Sequence, residues 1–212
     1  MTTASDAPLV AVYADESCLG NGREGENPGG AGVLVEYARN GGEIVRRDVW
    51  ISEPATTNNR MALRSVIEAF TALAHKGSRF RVVFTTDSRY IVDGMSTWVH
   101  DWARRGWKRK SGAIENLELW RVLVDSARRH RVQFGWVRGH KGHPKNEYAN
   151  DLAVLAATEQ VTSQGAVESG FGEWLEGKRK LGLYQDYDPD ASFAALERRV
   201  KAGESFPLRL AE

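Results

Sequence analysis

Residues 9–16, with the sequence LVAVYADE, decide the fold. Six apolar residues are followed at once by two acids, Asp15 and Glu16. An apolar run of this length predicts a central strand that is buried on both faces. Functional groups of open α/β sheets commonly lie at the carboxyl ends of the strands. Asp15 is therefore the first candidate for a functional carboxylate.

The segments that follow predict an α/β fold in which helices pack against a mixed sheet. A glycine-rich loop leads from the first strand to two further strands, and the order βββαβα is then completed by αβα. The predicted elements are strands near Gly32–Tyr37, 44–52, 81–87 and 132–137, and helices over 57–74, 88–95, 115–130 and from about 147. The strand at 81–87 ends on a second acid, Asp87.

Composition and charge restrict the classes of protein that need to be considered. The chain has 212 residues, 42% of them apolar and 27% charged, which is typical of one globular domain with an appendage. Cys18 is the only cysteine, so zinc sites built on paired cysteines are excluded. No apolar run reaches the roughly twenty residues of a membrane span. The amino terminus does not resemble a secretion signal, and we expect a cytoplasmic protein without membrane contact.

The basic excess lies in the larger part of the chain. Residues 1–157 contain 22 Lys/Arg and 18 Asp/Glu, whereas residues 158–212 contain 7 and 10. We therefore treat residues 1–157 as the main domain and 158–212 as a C-terminal extension. Beyond residue 158 the sequence predicts loops, a charged connector and one short helix over 193–203. Docking of this extension on the domain through its aromatic and leucine side chains is favoured over contact with a partner.

Asp15 and Asp87 both follow apolar strands, so the two carboxylates converge if those strands are neighbours. Paired carboxylates suit Mg²⁺, which prefers oxygen ligands and is often held by one or two of them plus substrate phosphate. The alternative is that each aspartate caps the element that follows it. His140, in the loop after the last strand, is a candidate general base, although an ordinary loop histidine is the simpler interpretation.

A segment near residue 100 interleaves indole rings with cations. Residues 98–110 contain three tryptophans among five lysines and arginines. This composition suits contact with the phosphates and sugars of a nucleic acid. The same tryptophans would also suit the core of a helical hairpin, and both roles are compatible.

Five separated motifs together resemble bacterial type 1 ribonuclease H. They are ADESCLGN (14–21), TTNNRMAL (56–63), TTDSRY (85–90), WVHDWARRGWK (98–108) and GHKGHPKNEYANDLA (139–153). The resemblance covers about residues 9–157 and implies a ribonuclease H-like fold, with a five-stranded mixed sheet flanked by helices. It also implies endonucleolytic hydrolysis of the RNA strand of RNA–DNA hybrids with Mg²⁺, or Mn²⁺, as the cofactor.

The resemblance is incomplete at the metal site. Asp15 and Asp87 match two of the family's four metal-binding carboxylates, but Ala62 and Asn150 occupy the positions of the other two. Asn150 still offers a carbonyl oxygen, which makes it a candidate ligand. Glu16 is a further candidate, although strand alternation would turn its side chain away from Asp15 unless the strand has already ended.

Two other acids are weaker replacements. Glu68 lies six residues after Ala62, which rotates it by about 240° and moves it about 9 Å along a helix. Asp151 is turned by about 100° from Asn150. We therefore expect Glu16 to be the better substitute.

The residues that contact substrate in the family are better preserved than its metal ligands. The resemblance assigns hybrid binding, at the minor groove or through the basic protrusion, to Cys18, Asn21, Asn58, Asn59, Trp98, Arg104, Arg105 and Trp107. Two functions remain open: an active metal-dependent nuclease, or a monomeric hybrid-binding protein whose metal site has been lost by descent or by engineering. Cleavage of a labelled hybrid separates them.

Overall fold

The computed structural model describes residues 7–20, 27–74, 77–139 and 142–204, and its strands form one mixed sheet. The strand order is β5-β4-β1-β2-β3-β6. The strands are β1 (Leu9–Cys18), β2 (Gly29–Ala38), β3 (Ile44–Glu53), β4 (Arg81–Thr86), β5 (Arg131–Trp136) and β6 (Val167–Glu168). β1 pairs antiparallel with β2 and parallel with β4. The expected ribonuclease H-like fold is confirmed, with a short sixth strand contributed by the extension.

Seven α-helices of the described residues flank this sheet. They are α1 (Asn58–Leu73), α2 (Arg89–Asp93), α3 (Val99–Arg104), α4 (Leu117–Ala127), α5 (Pro144–Glu159), α6 (Phe171–Lys180) and α7 (Pro189–Lys201), and a π-helical turn, Gly94–Trp98, joins α2 to α3. The Thr57 side chain accepts a hydrogen bond from the Arg60 N–H and caps α1. No helix in the described ranges is long and apolar enough to cross a membrane.

The alternation of side chains along the central strands produces two cores, one on each face of the sheet. Val12 and Phe84 point to the face covered by α1 and α4, where Trp120 is also fully buried. Tyr13 and Leu34 point to the opposite face. β1 is buried on both faces as a result, which explains why its apolar run is continuous rather than alternating.

Helix α5 lies unusually close to β2 because glycine occupies the contact. A Cβ atom on Gly32 would lie 2.2 Å from the Ala149 carbonyl oxygen, and one on Gly30 would lie 2.2 Å from the Ala153 carbonyl oxygen. Gly32 is also the register partner of Asp15. The two glycines therefore let α5 cross the sheet directly beside the first candidate carboxylate.

The extension contains more regular structure than the sequence predicts. Residues 171–180 form helix α6 where a loop and a connector were expected, and α7 begins at Pro189, four residues earlier than the expected helix. Phe171 and Phe193 are fully buried in the core beneath α5, whereas Leu183 is 48% exposed. Trp174 and Tyr184 pack partly buried at its edge.

Candidate active site

Three carboxylates converge where β1 continues past the end of β4. Each of Asp15, Glu16 and Asp87 offers an oxygen, and these atoms all lie within 4.8 Å of one another. β4 pairs with β1 only as far as Ala14 opposite Thr86, so the acids lie just beyond the shared ladder. The predicted convergence of Asp15 and Asp87 follows from this parallel pairing of neighbouring strands.

Glu16, the substitute favoured by the sequence, lies in the cluster although the strand has not ended at this residue. β1 continues to Cys18, yet the Glu16 carboxylate joins the other two instead of turning away. The side of β1 that faces β4 has no strand partner beyond Ala14, so the longer glutamate side chain can reach around the strand. The Glu16 N–H donates to Asp15 Oδ1 at 2.8 Å, which fixes the two residues relative to each other.

The cluster is electrostatically strained without a cation. Burial and the nearby Asp87 carboxylate raise the pKa of Asp15 to about 8. Burial, followed by the charges of Asp15 and Asp87, raises the pKa of Glu16 well above its ordinary value, and a hydrogen bond with Ser88 opposes this. Like charges in a partly dry site disfavour ionisation of one another, and a bound cation would remove that cost.

The donor set fits a divalent metal ion. All three groups are carboxylates, which are the preferred ligands of hard cations. Glu16 Oε2 is buried and has no hydrogen-bond partner, although buried carboxylate oxygens are normally satisfied. A buried carboxylate oxygen that has no hydrogen-bond partner and lies beside two other carboxylates is typical of a cation-binding site.

Helix α5 brings two asparagines to the same region. The Asn146 side chain is buried and donates through Nδ2 to the carbonyl oxygen of Ala14 at 3.3 Å, directly before Asp15. Asn150 follows one turn later, and its Nδ2 donates to Asp151 Oδ1 at 3.5 Å. Asn146 was not among the site residues predicted from the sequence. Its position at i−4 from the expected ligand Asn150 was the signal that could have identified it.

Asp151 and Glu68, the two weaker candidate ligands, form hydrogen bonds and ion pairs away from the carboxylate cluster. Asp151 accepts hydrogen bonds from Trp174 Nε1 at 2.7 Å and forms an ion pair with Lys178 at 3.2 Å. Glu68 pairs with Arg64 at 3.0 Å. Ala62, at the position of the family's glutamate, is fully buried in the core beneath α1. The structure brings Glu16, and neither Asp151 nor Glu68, into the cluster of carboxylates.

The loop before α5 passes against the carboxylate cluster. A Cβ atom on Gly139 would lie 2.1 Å from Asp87 Oδ2, so only glycine fits beside that oxygen. His140 itself lies outside the described residues. His143 caps α5 by accepting from the Asn146 N–H, and burial together with the charge of Lys145 lowers its pKa to about 4. A histidine that stays neutral and caps a helix has a structural role.

Three of the expected minor-groove residues lie on one surface next to the cluster. Cys18 is the last residue of β1, and its Sγ approaches the Thr56 carbonyl oxygen at 3.6 Å. Thr56 lies just before α1, and the first two residues of that helix, Asn58 and Asn59, are both partly exposed. Asn58 Oδ1 is buried without a hydrogen-bond partner. Asn21 lies outside the described residues.

The basic protrusion, residues 98–110, turns its indole rings toward the core and its arginines toward solvent. Trp98 and Trp107 are partly buried against the core around Trp120. Arg104 and Arg105, at the end of α3, are exposed. The aromatic rings therefore support the protrusion from below while its cations face solvent, which is the arrangement needed to contact phosphates.

Comparisons with known proteins agree with this geometry. A family model described as RNase H matches residues 7–158. The ribonuclease H of Methylococcus capsulatus is 40% identical over 157 residues, covering 74% of this chain and 94% of that protein. The ribonuclease H of Pseudomonas entomophila is 41% identical over 151 residues, covering 71% and 94%.

One solved structure is similar to this chain in both sequence and fold. LC9-RNase H1, described as a type 1 RNase H with the type 2 active-site motif, is 76% identical to this chain. The TM-score is 0.75, and the match covers 79% of this chain and 81% of that one. The family model ends at residue 158, so it leaves the extension unmatched.

Proposed function

The chain belongs to the ribonuclease H family, and we propose that it cleaves the RNA strand of RNA–DNA hybrids with a divalent metal held by Asp15, Glu16 and Asp87. The observation that carries this proposal is the convergence of three carboxylates within 4.8 Å. Asn150 completes the set with a neutral carbonyl oxygen. Mg²⁺ is the expected ion, and Mn²⁺ is a competent substitute because it accepts the same ligands.

The metal, when bound, activates water and stabilises the charge that develops on the leaving oxygen. The chain's own residues hold the ion and orient the substrate. Asp15 and Glu16 release the protons that their raised pKa values retain in the metal-free protein. His140 is proposed as the general base on sequence grounds.

The hybrid would lie across the surface that joins the carboxylates to the protrusion. Cys18, Asn58 and Asn59 are positioned for the minor groove, where 2′-hydroxyls distinguish RNA from DNA, and Asn21 is included in that group from its motif. Arg104 and Arg105, supported by Trp98 and Trp107, would contact the DNA phosphates. The protein would act as a monomer in the cytoplasm.

The departure from the usual type 1 ligand set does not by itself imply a lost activity. A relative that is 76% identical is described as carrying the type 2 active-site motif, so a natural or engineered loss is not needed to explain Ala62. Glu16 instead replaces the carboxylate missing at Ala62. A hybrid-binding protein without nuclease activity remains the second candidate, favoured by the neutral Asn150.

Cleavage of a labelled RNA–DNA hybrid with Mg²⁺ or Mn²⁺ tests the proposal. Glu16→Gln should lower kcat by at least about 100-fold and leave hybrid affinity within about twofold, because only a metal ligand is lost. Glu68→Gln is the matched control, since it neutralises a glutamate paired with Arg64 and should retain activity. Intact activity in Glu16→Gln would remove Glu16 from the site. Hybrid binding without cleavage by the unsubstituted protein would establish the second candidate.

A further inference from the structure

A fully buried ion pair lies at the amino-terminal end of α5. Lys145 Nζ donates to Glu36 Oε2 at 2.6 Å, and neither side chain is exposed. Lys145 is the second residue of the helix, where the helix dipole disfavours a cation. A buried ion pair contributes little net stability compared with apolar residues of similar volume, and its best-attested use is to specify one arrangement.

Helix α7 of the extension completes this ion pair. The Pro189 carbonyl oxygen accepts a second hydrogen bond from Lys145 at 3.3 Å. Arg46 bridges the two elements, donating to Glu36 at 2.7 Å and to Asp190 at 2.6 Å. The start of α7 is therefore bonded directly to Lys145 and linked to Glu36 through Arg46.

A second contact joins the extension to α5 two residues later, at Glu147. The Tyr184 hydroxyl donates to one oxygen of Glu147, and the Gly142 N–H donates to the other oxygen at 3.0 Å. Tyr184 has a φ of 54°, a conformation that residues other than glycine rarely adopt, so the backbone is held in an uncommon state to present this hydroxyl. Trp174 and Lys178 bind Asp151 on the following turn.

Other residues of the same helix contact the strands that carry the active site. Asn146 bonds the carbonyl oxygen of Ala14, and Ala149 rests on Gly32, the register partner of Asp15. Residues that bind the extension thus alternate along α5 with residues that contact β1 and β2. A shift of the helix would change both sets of contacts together.

We propose that the C-terminal extension is a positioning element for the metal site, acting through Lys145 and Glu147 to fix α5 relative to Asp15. The proposal rests on the proposed function of the carboxylate cluster. Helix α7 and Tyr184 hold α5 from outside, and Asn146 and Asn150 keep their places beside β1 as a result. Displacements of about 1 Å in such a site are sufficient to lower activity by about 100-fold.

Tyr184→Phe in the full-length protein is the primary test, and Tyr187→Phe is its matched control. Tyr187 also belongs to the extension and is partly buried, but its hydroxyl bonds to Ser192 within the extension. We expect Tyr184→Phe to weaken Mn²⁺ binding by about three- to tenfold, the equivalent of one hydrogen bond. Electron paramagnetic resonance of free Mn²⁺, recorded without hybrid, measures this affinity. Tyr187→Phe should stay within about twofold of the unsubstituted protein.

Hydrogen exchange and kinetics supply readouts that loss of overall stability would not reproduce. Amides of α5 should exchange faster in Tyr184→Phe, whereas those of α1 should not change. For hybrid cleavage, kcat should fall while KM stays within about twofold. Unchanged Mn²⁺ affinity in Tyr184→Phe, or equal weakening in Tyr187→Phe, overturns the proposal. Failure of the unsubstituted protein to cleave hybrid would instead overturn the nuclease function, because Mn²⁺ binding is measured separately.

A second variant removes the buried pair without leaving an unpaired charge. The double substitution Glu36→Met, Lys145→Met replaces both ions with apolar side chains, which proteins often tolerate without loss of stability. We expect a folded protein with weaker Mn²⁺ binding and faster exchange in α5. A folded double variant with the Mn²⁺ affinity of the unsubstituted protein would show that the pair does not position the site.

Discussion

Neutralising Asp87 should stabilise the metal-free protein, and the gain should grow with pH. Burial and the Asp87 carboxylate raise the pKa of Asp15 from 3.8 to about 8. Between those values the folded protein retains a proton that the unfolded chain releases, so the free energy of unfolding falls as pH rises. The contribution of the Asp15 proton to the free energy of unfolding is fully present below about pH 4 and is lost progressively up to about pH 8.

The separation of the carboxylates sets the size of the effect. The cluster oxygens lie within 4.8 Å of one another, and two unit charges at that separation repel by about 3.5 kcal/mol at an effective dielectric constant of about 20, which sets the scale of what Asp87→Asn can recover. At pH 7 Asp15 is still largely protonated, so the gain should be about 1 kcal/mol. It should reach about 2 kcal/mol at pH 9 and vanish near pH 5.

Urea unfolding with a chelator at pH 5, 7 and 9 measures this difference. Asp93→Asn is the matched control, because Asp93 lies on the adjacent helix α2, is partly exposed and pairs with Arg89 at 3.8 Å. The control should change stability by less than about 0.5 kcal/mol at every pH. Saturating Mn²⁺ should reverse the order, since the unsubstituted protein gains more from the metal. An equal stability change at pH 5 and pH 9 would refute the electrostatic reasoning.

Three further variants test the packing and the nucleic-acid surface. Gly32→Ala places a Cβ atom 2.2 Å from a carbonyl oxygen of α5 and should cost about 3 kcal/mol in thermal or urea unfolding. Gly139→Ala displaces the Asp87 carboxylate, so calorimetry should show weaker Mn²⁺ binding in a protein that unfolds normally. Replacing Arg104 and Arg105 with alanine should weaken hybrid binding and lower its salt dependence by about two units in a fluorescence titration.

The central elements were predictable because their patterns are strong and local. The apolar run of β1, the capping residue Thr57 of α1 and the strand ending at Asp87 each carry a direct signal. Helix α6 was missed since Gly172 and Gly177 lower its helix propensity. The spacing of Phe171, Trp174 and Leu175 and the basic residues of its last turn could have indicated it. The two-residue strand β6 is too short to leave any pattern.

The carboxylate cluster was only partly predictable for a different reason. Asp15 and Asp87 required only that two parallel strands be neighbours. The position of Glu16 depends on where β4 ends relative to β1, and a sequence pattern cannot specify this offset. The buried pair of Lys145 and Glu36 joins residues 109 positions apart, so it depends on tertiary register alone.

In the proposed metal site, the carboxylate of Glu16 and the neutral side chain of Asn150 would together limit the charge. Burial and the Asp87 carboxylate already raise the pKa of Asp15 to about 8 in the metal-free protein, and a further carboxylate would add to that repulsion. An amide oxygen can serve as a ligand of a hard cation without adding charge. One divalent ion therefore leaves one negative charge on three carboxylates, whereas it would leave two on four carboxylates. Because the substrate brings a phosphate to the same place, the smaller residual charge opposes its binding less.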